Sequence, residues 1–187
     1  GIEGAVLAVV LDSLTRAGHR PADIIVAGCD VPPTVTGLAP MPRGWSARTV
    51  DVAGRPQQVR RYLEGVDVVI NLPSLTDHNI AGLACAMMNV TLPYIRRPGR
   101  VLNGGVHEAI VSLLGATDVL PRPALTIVNA LRCVIEGGPV VADEHLVVGR
   151  EMWLATDPVA VDRVALQWLH QQRTARGLAP LAASRPA

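Results

Sequence analysis

The stretch Asn71-Leu72-Pro73-Ser74-Leu75-Thr76-Asp77-His78-Asn79 places amides, hydroxyls, a carboxylate and an imidazole directly after an apolar run. His78 is the residue there best suited to proton transfer or metal ligation, because an imidazole changes charge near neutral pH. A helix starting near Asp77 and running through Val90 would put His78, Gly82, Cys85 and Asn89 on one face. Gly82, Ala84 and Ala86 would let a ligand or another element approach that helix closely. His107, beside Glu108 on the polar side of a second helical stretch, is a further acid–base candidate. Each histidine also has a structural alternative, a hydrogen-bonded core residue for His78 and a surface helix residue for His107. Gly104-Gly105 precedes the second helix and could receive an anion at its N-terminus. The pair is not a G-x-G-x-x-G fingerprint, and no nucleotide-cofactor motif appears. No G-x-S-x-G elbow supports a serine hydrolase.

Composition removes several classes of function. All 17 basic residues are Arg, so Schiff-base chemistry and a Walker-type phosphate lysine are excluded. The formal net charge is +1, and only three Trp and two Tyr are present. Neither a basic field nor a stacking platform argues for nucleic acid. Arg60-Arg61 and Arg96-Arg97 with Arg100 read as solvated basic spots. Cys29, Cys85 and Cys133 lie far apart with no C-x-x-C pair, which excludes a self-contained zinc finger or ferredoxin-type cluster. The longest apolar run, Ala5–Leu11, falls far short of the roughly 20 residues that span a bilayer. With no signal-peptide pattern the expected location is cytoplasmic, or exported if an upstream signal was removed. The start at Gly1 suggests processing, or a piece of a longer protein.

The elements that must position these groups follow from periodicity and breakers. Ile2–Ala17 reads as a helix stopped by Gly18. Asp23–Gly28 reads as a short buried strand, Val31–Gly44 as a loop and Arg48–Val52 as a strand. Arg55–Glu64, with Pro56 in its first turn, reads as a short helix. Val66–Asn71 is the clearest strand, stopped by Pro73. Gly104–Leu114 reads as a helix and Ala124–Asn129 as a buried strand. Leu146–Val148 and Met152–Ala155 read as short strands. Asp157-Pro158 opens a last helix to about Gln172, with Asp as N-cap and Pro at the first position. Strands apolar on both faces, alternating with helices, predict an α/β fold: three layers, a mostly parallel sheet and helices on both faces. The expected organisation is one domain over residues 1–174, lacking an upstream strand, and a flexible tail over 175–187.

The order of these motifs resembles the family catalogued as domain of unknown function 362. The similar landmarks are Val66–Pro73, then His78, Gly82 and Asn89, His107 before an apolar helix, and the strand Ala124–Asn129. Glu136-Gly137-Gly138-Pro139 and Ala155-Thr156-Asp157-Pro158-Val159-Ala160-Val161-Asp162 follow in order, the last block being the most specific. The resemblance implies association with iron–sulfur proteins and no single reaction. Where the family places lysines this chain has Ser74, Thr76 and Met88, and where the strand ends in Asp it has Asn129.

Taken together, these features point to a metal- or iron–sulfur-associated redox protein with its site at the carboxyl ends of the strands. Asp77, His78, Cys85 and His107 would be metal ligands, and His78 and His107 catalytic. Asn71, Asn89, Gly104 and Gly105 would contact a cofactor, either an iron–sulfur cluster or a divalent metal. The alternative is a non-catalytic subunit or binding module, with other subunits or a second copy as partners. A third possibility is a metal-independent acid–base enzyme with Arg groups clamping a small carboxylate.

Overall fold

The computed structural model describes residues 2–138, 140 and 142–181. Helix α1 (Ile2–Arg16) ends at Gly18, whose φ of +95° supplies the left-handed stop. Strands β1 (Trp45–Val52) and β2 (Arg55–Arg60) form an antiparallel hairpin. Strands β3 (Val69–Asn71), β4 (Ser74–His78) and β5 (Gly82–Ala84) follow, then the short helices α2 (Ala86–Asn89) and α3 (Gly99–Leu102). Helix α4 (Val106–Gly115), strands β6 (Pro123–Val134) and β7 (Leu146–Ala155), and helix α5 (Pro158–Thr174) complete the chain.

The long strand β6 organises the five-stranded sheet. One edge of β6 carries β7 antiparallel; the other carries β3 and then β4, both parallel to it. In effect β3 and β4 are one strand broken at Leu72-Pro73. The Pro73 carbonyl accepts the Asn129 N–H at 2.8 Å, so the ladder survives a residue that has no N–H to give. β5 pairs antiparallel with β4. Three strands of five therefore run one way, with antiparallel edges.

Helices cover both faces, as the apolar pattern predicts. On one, Leu75, Val128 and Ala130 meet Val161 and Ala165 of α5. On the other, α1 lies against β6 with Val6, Leu7 and Leu11 buried. The β1–β2 hairpin packs Val50, Val52 and Val59 with Val106, Ile110 and Leu113 of α4 in a second core. On β7, Val148, Met152 and Leu154 point away from α5 and stay exposed.

Four expectations fail locally. Residues 24–28 have no strand partner; a 3-10 turn over Pro21–Asp23 leads into half-exposed irregular chain. The segment from Arg55 is a strand, because Ala53 and Gly54 both take positive φ (52° and 73°) and turn the chain back on β1. Two left-handed residues make the hairpin turn that matches strand twist, and the Asp51 carboxylate accepts the Gly54 N–H at 2.9 Å. Residues 79–90 are a hairpin turn, β5 and the short α2 rather than one helix. The two strands expected near the C-terminus are one, β7, bulged where Arg150 takes φ of 59°. The last helix is as expected: Asp157 Oδ1 accepts from Val159 N and Ala160 N at 2.8 and 3.2 Å. Beyond it residues 175–180 are mostly exposed but Leu178 and the buried Leu181 pack against Ile135, Val147 and Leu169, while 182–187 lie outside the described residues.

Candidate functional site

His78 ends β4, where the chain must reverse within three residues to form β5. Its Nδ1 accepts the N–H groups of Ile80 and Ala81, each at 3.2 Å, so the imidazole closes the turn. His107, in the first turn of α4, reaches the same turn from outside and pairs Nε2 with the Ala81 carbonyl at 3.1 Å. The structure thus brings the two histidines to one turn, both engaged with its backbone. The common helical face does not exist: His78 and Gly82 are cross-strand partners in the β4–β5 ladder.

Asn71 and Asn89 do meet. Asn89 Nδ2 donates to Asn71 Oδ1 at 2.7 Å, and Asn71 Nδ2 donates to the Ala86 carbonyl at 3.1 Å. Asp162 secures the other end of α2, its carboxylate accepting Ala86 N at 2.7 Å and Met87 N at 2.9 Å. The second Asp of the Asp-Pro-Val-Ala-Val-Asp block is therefore the N-terminal anchor of a different helix. Burial raises the Asp162 carboxyl above its ordinary value, while the Met87 and Ala86 amides and the Cys85 thiol pull it back.

Gly137 and Gly138 have physical reasons to be glycine. Gly137 has φ of +76°. Gly138 lies so close that a Cβ would land on the Asp77 carbonyl, and its own carbonyl accepts Asn79 N at 2.8 Å. The next residue of that block, Pro139, lies outside the described residues. Gly104 and Gly105 stand apart from these contacts. Gly105 precedes α4 with φ of +79°, and Glu108 already places a carboxylate in that helix's first turn.

Asp77, His78, Cys85 and His107 do not assemble as a ligand set. Among the described residues, no group of three or more His, Cys, Asp or Glu side chains is placed to hold a metal ion. Cys85 and Cys133 share the core under α5. Burial, then the Asp162 carboxylate, push the Cys85 thiol up, and burial pushes Cys133 to about 12. A cluster held by thiolates needs more cysteine ligands than this pair, and among the described residues Cys29, which is exposed, does not join them.

The concave feature nearest these motifs is a cavity of about 270 Å³ between α1 and the sheet. Ser74 and Asn129, register partners on β4 and β6, line it with Leu72 and Asn89. Val6 and Leu7 of α1 give it an apolar wall, and Gly28 and Cys29 line it from the loop. Asn129 is 6% exposed. Its Oδ1 accepts Leu131 N at 3.2 Å, and among the described residues its Nδ2 reaches only Ser74 Oγ, at 3.5 Å, the outer limit of a hydrogen bond. Of Ser74, Thr76 and Met88, Ser74 alone lines the cavity; Thr76 sits in the β4 ladder and Met88 packs on the second core. The sequence exposed Asn129 and Ser74 as departures from a pattern, but only strand register makes them neighbours. Cys29 was legible as the residue that follows the apolar run Asp23–Gly28.

Residues 39–167 match the family described as Domain of unknown function (DUF362), well over half of the chain. No curated protein and no solved structure gives a match.

Proposed function

The chain belongs to the DUF362 family, and we propose that it is a non-catalytic binding module. Its α1–sheet cavity would take a small, uncharged molecule that accepts hydrogen bonds. The observation that carries this is Asn129: a buried amide with an N–H left over among the described residues, opening on a cavity walled by Val6, Leu7 and Leu72. Apolar walls with a few convergent polar groups are the usual make-up of a small-molecule site. Among the described residues, no carboxylate, imidazole or guanidinium lines the cavity. A charged ligand would therefore lose its hydration without gaining a counter-ion from these residues, and of them the Cys29 thiol is the group that could serve general acid–base catalysis. The lysine-to-Ser74 and Asp-to-Asn129 departures both lower the charge of this one place.

Titration of the ¹⁵N-labelled chain with acetamide, 2-pyrrolidinone and acetate tests the proposal. The neutral amides are expected to shift Ser74, Asn89 and the Asn129 side-chain amide saturably, acetate is not, and Asn129→Leu removes the response. Absence of saturable shifts overturns the proposal. So does purification with stoichiometric iron that His78→Ala abolishes, which would restore the metal-dependent redox role.

A further inference from the structure

A second concave site lies along β2 and shares no lining residue with the cavity. It is a cleft of about 180 Å³ lined by Pro56, Gln57, Gln58, Arg96, Arg97 and Arg100. Two observations about it arise separately. The first is Gln57, opposite Val50 in the hairpin and only 5% exposed. Its side-chain amide makes no hydrogen bond among the described residues, while its neighbour Gln58 bonds both to the Ser46 carbonyl and to Arg96. A buried amide without a partner is uncommon, because it has given up water for nothing in return. The second is charge. No carboxylate lines the cleft, and none of the three arginines makes an ion pair among the described residues.

Arg96 is held in place. Its backbone N–H donates to the Gln58 carbonyl at 3.0 Å and its Nη1 to Gln58 Oε1 at 2.5 Å. Arg97 and Arg100 are linked through one turn, Arg100 N donating to the Arg97 carbonyl at 3.1 Å. Three like charges gathered without a counter-ion repel one another, and an anion removes that penalty. The guanidinium fork suits phosphate oxygens, and a dianion balances three cations better than a carboxylate does. We propose that this cleft binds a phosphate group, either inorganic phosphate or the phosphate of a small phosphorylated molecule, with Gln57 donating to one of its oxygens. Nucleic acid is the weaker alternative, since the nearby indole of Trp45 already carries the Arg60 guanidinium 4.2 Å from its ring centroid.

Calorimetric and NMR titration of the whole chain tests this, using inorganic phosphate, glycerol phosphate and a single-stranded oligonucleotide against sodium chloride of equal ionic strength. Saturable binding of a phosphate, with shifts at Gln57 and residues 96–100, is expected. Tighter binding of glycerol phosphate would identify a phosphorylated molecule as the source, and equal binding free phosphate. Arg97→Gln and Arg100→Gln, both exposed, should each weaken binding about 10-fold, in line with loss of a charge-assisted bond. Gln57→Leu should weaken binding and raise the melting temperature of the phosphate-free chain, a gain that a structural glutamine would not give. Equal responses to phosphate and chloride, unchanged affinity in the arginine variants, or a preference for the oligonucleotide would each overturn the proposal.

Discussion

Removing the Asp162 carboxylate should loosen α2 and with it the Asn71–Asn89 contact. Ala86 and Met87 are the first residues of a four-residue helix, too short to hold itself together. Their N–H groups have Asp162 as acceptor, at 2.7 and 2.9 Å, in a position only 4% exposed. A buried donor left without a partner costs about 1–3 kcal/mol. Asp162→Ala orphans two, against which stands relief from burying a carboxylate, so a net loss of about 2–4 kcal/mol follows. Asp162→Asn keeps one acceptor and should lose about half as much. The two variants also differ in pH dependence. Because burial raises this carboxyl in the folded state, the folded chain holds the proton to higher pH than the unfolded chain. Its contribution to stability is complete below the ordinary value of about 3.9 and is lost as pH rises through the raised folded value. Wild type should therefore lead the Asn variant by more at pH 4 than at pH 7. Urea unfolding at several pH values, followed by the fluorescence of Trp153 and Trp168, measures both quantities. An Asp162→Ala variant within about 0.5 kcal/mol of wild type, a small effect by the standard of a lost buried cap, would refute the reasoning. An Asn variant with the wild-type pH slope would refute the electrostatic half alone.

Arg173 is 1% exposed and donates to the Ala179 carbonyl at 2.9 and 2.8 Å and to the Ile135 carbonyl at 2.5 Å. Arg173→Leu leaves these acceptors unpaired and should cost about 3 kcal/mol, read by urea unfolding, with faster proteolysis after α5. Gly138→Ala must push the backbone off the Asp77 carbonyl. A loss of about 3 kcal/mol is expected, with amide exchange rising at Asn79, whose N–H bonds to Gly138. Ala53→Gly goes the other way: relief of about 1 kcal/mol of left-handed strain outweighs the extra entropy of glycine. Thermal unfolding should show a gain of about 0.5 kcal/mol.

Much was legible in the chain itself. The α/β class follows from apolar strands alternating with helices, and Asp157-Pro158 opens α5 as local capping chemistry requires. The stop of α1 at Gly18 is equally local. The errors share one cause. Residues 79–90 are apolar enough for a helix face, yet Thr76–His78 find Gly82–Ala84 as ladder partners and the His78 ring closes the turn. Residues 55–60 likewise turn on the φ angles of Ala53 and Gly54.

The sequence by itself determined which segments are apolar, where chains must turn, and that no lysine chemistry is available. It also supplied the histidines, amides and arginines from which any site must be drawn. Tertiary structure decided which of them meet. Asp162 caps a helix far away in the chain, Ser74 faces Asn129 only because β4 and β6 pair in that register, and Gln57 is buried opposite Val50 only once the hairpin folds. Such contacts depend on strand pairing and helix docking between distant segments, and spacing along the chain carries no record of them.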